Sequence, residues 1–117
     1  MAVNINGKKV EALVEGLDAM LDHMNTDYRG WMKTDDPIKK RMCSEYHAGL
    51  TYYMGKKYIK VTSNESVCAF VVACENDKKF EFGDILKPAG WKAPARNFRR
   101  GNVLDRSFDQ VRWTGAL

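Results

Sequence analysis

The sequence predicts an α+β fold in which N-terminal helices pack on one face of an antiparallel sheet of about four strands. Two observations carry that prediction. Apolar residues recur at helical spacing only in the first quarter of the chain, and aromatic and β-branched runs separated by short polar turns take over from Tyr46. A single strong amphipathic helix also leaves one obvious cover for the sheet, so its Met and Leu stripe is assigned to the core rather than to a partner.

Val10, Leu13, Val14, Leu17, Met20, Leu21 and Met24 recur at steps of three and four, with Glu11, Glu15, Asp18 and Asp22 between them. A helix is expected near 7–25, with Asn6 as its N-cap and Gly16 lowering its propensity by about 1 kcal/mol relative to Ala. The polar stretch from Asn25 to Lys33 reads as a loop anchored by Tyr28 and Trp31. Asp35-Asp36-Pro37 then supplies acids and a first-turn proline, which predicts a short second helix over 36–43. Leu50 to Tyr53 and Lys57 to Thr62 flank Met54-Gly55-Lys56 as a β-hairpin, with Ile59 and Val61 on one face and Tyr58, Lys60 and Thr62 on a wet one. After a turn at Ser63-Asn64-Glu65, the run Val67 to Ala73 is apolar on both faces, as in a central strand covered by another layer. Glu75 to Lys79 is the next turn, and Phe80 to Lys87 reads as a strand bent at Gly83-Asp84. Pro88, Gly90, Pro94 and Gly101 interrupt the chain beyond Lys87, leaving room for a helical turn at Ala95 to Arg100 and a last strand around Phe108 to Trp113 at the sheet edge. Such a meander has open edges, and an edge strand can pair across a dimer.

A chain of 117 residues is read as a single domain spanning 1–117, large enough to bury a core without disulfides or metal. Its longest apolar run, around Val67 to Cys74, falls far short of the roughly 20 residues a membrane span needs, so no membrane crossing is expected. The N-terminal charges precede no apolar block, which makes a cytoplasmic location the expectation. Cys43, Cys68 and Cys74 are odd in number and out of C-x-x-C spacing, so they are read as reduced thiols; Cys68 and Cys74, six apart, are expected on one buried face. His23 and His47 lack carboxylate partners at ligand spacing, and no cofactor or metal site is expected.

Charge is distributed unevenly. Seven of the nineteen Lys and Arg residues lie between Lys87 and Arg112, against two acids, Asp105 and Asp109, so that segment carries about five positive charges while the rest of the chain is near neutral. Trp91, Phe98 and Phe108 are interleaved with them and Trp113 comes just after. Within it, Trp91, Lys92, Arg96, Phe98, Arg99 and Arg100 form the candidate binding set, the cations for phosphates and Trp91 or Phe98 for base stacking. The competing reading makes the aromatics core residues beneath solvated arginines.

Lys56-Lys57-Tyr58-Ile59-Lys60-Val61, the run Phe82-Gly83-Asp84-Ile85-Leu86-Lys87-Pro88-Ala89-Gly90-Trp91-Lys92-Ala93-Pro94-Ala95, and Arg100-Gly101-Asn102-Val103 resemble a group of small proteins encoded by tailed, often marine, bacteriophages. The resemblance runs from about Lys56 to Leu104 and is most distinctive at Trp-x-Ala-Pro-Ala with Arg-Gly-Asn. It implies a viral origin and expression inside a bacterial host. It carries over no catalytic residue.

The expected function is therefore a non-enzymatic, nucleic-acid-binding accessory protein, with a small inhibitor or adaptor of a host protein as the alternative, since Arg and Trp also dominate protein interfaces. Catalysis is not expected: Asp35-Asp36 read as a helix N-terminus and Asp84 as a turn residue, with no base, nucleophile or phosphate loop at motif spacing. Replacing Arg96, Arg99 and Arg100 together by Ala is expected to spare folding and abolish binding if the segment is a site.

Overall fold

The apolar stripe that begins at Val10 does not end at Met24. In a computed structural model, which describes residues 7–32 and 36–117, helix α1 runs over Gly7–Met32. Tyr28 and Met32 continue the i, i+4 series from Met24 and are buried. The stretch read as a loop is therefore helical as far as Met32, because packing of these two side chains outweighs the weak propensity of Thr26, Asp27 and Gly30. The expected cap Asn6, together with Lys33 and Asp35, lies outside the described residues.

Helix α2 spans Pro37–Gly49, longer than the 36–43 expected. Asp36 caps it by accepting the Ile38 N–H at 2.8 Å, with Pro37 in the first turn, where no amide hydrogen is needed. Tyr46 fastens its far end: its ring stacks on Tyr28 at 4.3 Å and its hydroxyl donates to the Trp113 carbonyl at 2.6 Å.

The sheet comprises β1 (Leu50–Met54), β2 (Tyr58–Ser63), β3 (Ser66–Val72) and β4 (Ile85–Leu86), an antiparallel meander in chain order. Asn64 and Glu65, both at positive φ, form the two-residue turn between β2 and β3, whose twist suits a tight hairpin. The expected strand Phe80 to Lys87 contracts to Ile85–Leu86, since a turn closed by Asp84 N–H donating to Glu81 O occupies its first half. The last strand becomes a separate hairpin of β5 (Val111–Arg112) and β6 (Gly115–Ala116). No helical turn forms over 95–100.

One core lies between α1 and the sheet, where Leu13, Leu17, Met20 and Met24 meet Ile59, Val61, Val71 and Ile85. The opposite face is not wet. Phe70, Val72, Phe80 and Leu86 form a second cluster there, joined by Tyr58. Lys60 and Tyr58 are half-buried, because the 77–80 turn and the 88–98 loop fold back over this face, and Thr62 is buried as well. Burial on both sides is what the run Val67 to Ala73 requires.

Between β2 and β3 the register slips. Val61 pairs with Ala69 and Thr62 with Val67, which leaves Cys68 as an extra residue, a β-bulge. The bulge turns Cys68 toward the α1 core, whereas Cys74 packs with the second cluster. The two cysteines therefore occupy opposite faces, contrary to the even spacing. Burial pushes the Cys68 thiol up to about 11, so it stays protonated at neutral pH.

Candidate nucleic-acid interface

In an up-and-down meander, the β1–β2 loop and the β3–β4 connection emerge at the same end of the sheet. Here the 88–98 loop joins them over the face opposite α1. Two adjoining depressions of about 440 and 300 Å³ result, sharing Lys56 and Lys57 in their walls. The first adds Lys78 and Arg96, and the second adds Lys60, Lys92 and the exposed ring of Tyr53. Lys60 holds its ammonium 4.2 Å from the centroid of Trp91, a ring that remains 49% exposed.

Among the described residues, Asp77 is the one acid lining these depressions, and its charge is already committed. Its side chain is 1% accessible and takes both guanidinium nitrogens of Arg96 at 2.9 Å, with Lys57 at 3.9 Å. The same carboxylate accepts the Lys79 and Phe80 N–H groups at 2.8 and 2.9 Å, which shapes the turn. The Arg96 bond, then these amides, hold the Asp77 carboxyl well below the usual carboxylate range; the reciprocal bond raises Arg96. Arg96 also donates to the Tyr58 hydroxyl and lies 4.9 Å over Phe80. It clips the 88–98 loop to the sheet.

The residues expected to act together divide into two groups. Trp91 and Lys92 are exposed beside the hairpin lysines, and Arg96 forms part of the wall. Phe98 is exposed but covered on one side by Arg100, whose guanidinium carbon is 3.9 Å from the ring centroid. Arg99 pairs with Asp84 at 3.0 Å, a bond that raises its own pKa. Asp84 in turn is buried, accepts from Asn102 at 2.9 Å and from the Glu81 N–H at 2.9 Å, and so organises the turn before β4.

Arg100 is 5% exposed and donates to the carbonyls of Phe98 and Leu117 and to Asn97 at 2.7–3.1 Å. It lies inside the fold rather than on a surface. The basic segment is thus not one continuous face: Arg106 bonds the Val103 carbonyl at 2.7 Å, and Arg112 sits 3.8 Å from Asp27 of α1. Alanine at Arg96, Arg99 and Arg100 together would remove three structural attachments, so that triple substitution does not separate binding from folding.

A family of unknown function, DUF7717, matches residues 3–117. The chain belongs to this family. The DUF7717 match includes the helical N-terminal half, which contributed nothing to the phage resemblance. No curated protein and no solved structure matches. Among the described residues, no helix is long and apolar enough to cross a membrane.

Sequence reasoning misses the lysines of the β1–β2 loop and of the 75–79 turn, because each reads as ordinary turn polarity. Strand order supplies the missing signal. A meander brings alternate turns to one end, so basic residues twenty positions apart become neighbours.

Proposed function

We propose that this DUF7717 protein is a non-enzymatic accessory protein that binds nucleic acid through the groove formed by the β1–β2 loop, the 75–79 turn and the 88–98 loop. One observation carries the reading: cations from three separate connections line one surface on which the acid among the described lining residues is covered and paired. Lys56, Lys57, Lys60, Lys78 and Lys92 would contact phosphates, each releasing counterions, while Trp91 and Tyr53 offer ring faces to bases. Arg96 contributes to the wall of this surface, whereas Phe98, Arg99 and Arg100 lie outside its lining, Arg99 on Asp84 and Arg100 on Phe98 and Leu117. The resemblance of 56–104 to phage-encoded proteins supports a viral origin and a site of action in the bacterial cytoplasm.

The test is fluorescence anisotropy with labelled single- and double-stranded oligonucleotides across a salt series. Binding that weakens steeply with salt, and that disappears when Lys56, Lys57, Lys60 and Lys92 are replaced by Ala in a folded protein, supports the reading. No binding at low salt overturns it. The adaptor alternative would then rest on the exposed Trp31, Ile38 and Met42 of the two helices.

A further inference from the structure

The two edges of the sheet are finished differently. Beyond β4, residues 100–103 close the edge: Ile85 N–H donates to Gly101 O at 2.9 Å, Arg100 N–H to Ile85 O at 2.7 Å, and Val103 N–H to Gly83 O at 3.0 Å. At the other edge stands β1, which pairs only with β2. Among the described residues, no backbone bond joins β1 to anything but that neighbour and the end of α2. Leu50-Thr51-Tyr52-Tyr53-Met54 contains no charge, proline or glycine, and β1 has no register shift against β2. Among the described residues it therefore lacks the charge, proline and bulge by which a solvent-facing edge strand ordinarily avoids pairing.

We propose that β1 pairs antiparallel with β1 of a second copy of this chain, about a two-fold axis at Tyr52. This inference goes beyond the nucleic-acid reading and does not depend on it. The register places Thr51 opposite Tyr53 of the other copy and Leu50 opposite Met54, so the exposed Tyr53 and Met54, 59% and 56% accessible, gain cover on association. Extending the same register brings the Lys56–Lys57 turn of each copy to the last turn of the other copy's α2, which ends at Gly49. That helix terminus carries the negative end of the backbone dipole, so the lysines meet a partial charge of opposite sign. A foreign strand would supply neither the self-matching register nor this reciprocal contact. Pairing would continue the four-stranded sheet into its two-fold copy and place two basic grooves on one side of it.

Sedimentation equilibrium of the nucleic-acid-free protein tests the proposal. The wild-type chain is expected at twice its monomer mass, with concentration-dependent hydrogen-exchange protection of β1 amides. Placing like charges opposite each other with Thr51→Glu and Tyr53→Glu is expected to raise the dissociation constant about tenfold or more. Thr51→Lys with Tyr53→Glu puts opposite charges face to face in this register and restores the dimer. A wild-type monomer throughout the micromolar range overturns the proposal, and so does β1 protection that does not change with concentration. A dimer indifferent to the Glu pair places the contact elsewhere and equally overturns it. Oligonucleotide anisotropy on the same samples is a separate readout, so loss of the dimer and loss of nucleic-acid binding remain distinguishable.

Discussion

Two arginines four positions apart differ in what they hold. Arg100 is enclosed, and its guanidinium satisfies the Leu117 and Phe98 carbonyls while lying on the Phe98 ring. Arg100→Ala would leave these acceptors uncovered or unpaired, and a loss of about 2–4 kcal/mol in urea-unfolding stability is expected. Arg96 is half-exposed, so solvent screens its pair with Asp77 and Arg96→Ala should cost less, about 1–2 kcal/mol. The Asp77 pair also has a pH signature. Because folding lowers the Asp77 carboxyl, its contribution is complete above the unfolded value near 4 and is lost as pH falls toward the folded value. Comparing wild type with Asp77→Asn by thermal unfolding from pH 7 downward should show a gap that is constant at neutral pH and narrows below about pH 4. A gap that persists unchanged into strong acid would show that the carboxylate charge is not what holds the loop. None of this was legible in the sequence, where Arg96, Arg99 and Arg100 are three similar cations in one run.

At the level of elements, periodicity was a good guide where burial is one-sided. The spacing from Val10 to Met24 located α1 because that helix buries one face, and the glycine turn between two β-rich runs located the first hairpin, although β2 is covered on both faces. It was a poor guide where distant segments decide the outcome. Thr62 looked solvent-facing and is buried beside a bulge, and the strand expected from Phe80 became mostly turn once Asp84 engaged Glu81 and Arg99. Gly16 shows the same limit. Read locally, it only weakens α1, and Ala there should stabilise the helix by about 1 kcal/mol. In the fold, a Cβ at Gly16 would stand 2.6 Å from the Val103 carbonyl oxygen, a backbone atom with no rotamer to escape into. Gly16→Ala is therefore expected to destabilise the protein, by about 1–3 kcal/mol, as α1 is levered off the 100–104 segment. Urea denaturation checks the sign: a gain in stability would mean that α1 shifts freely over Val103.

Over the whole molecule, the excess positive charge assigned by sequence to Lys87 to Arg112 is distributed on both sides of the sheet. Arg112 faces Asp27 on the α1 side, while Lys92 joins Lys56, Lys57 and Lys60 on the opposite side. The strand order thus separates cations that are neighbours in sequence and unites cations that are not. This separation allows a test of the groove as a whole, because counterion release counts phosphate contacts and ignores charges away from the bound strand. If four lysines of the groove each neutralise one phosphate, replacing them flattens the slope of log K against log salt by about 0.9 per contact on duplex DNA and about 0.7 on single strands. Arg112→Ala removes one positive charge and should leave the slope unchanged. Its effect would appear only as a uniform weakening from the altered net charge, small at an ionic strength where the Debye length is about 8 Å. Anisotropy titrations at four or five salt concentrations separate the two outcomes. A slope that drops equally for Arg112 and for any single groove lysine would mean that nucleic acid responds to the overall charge of the protein and not to this surface.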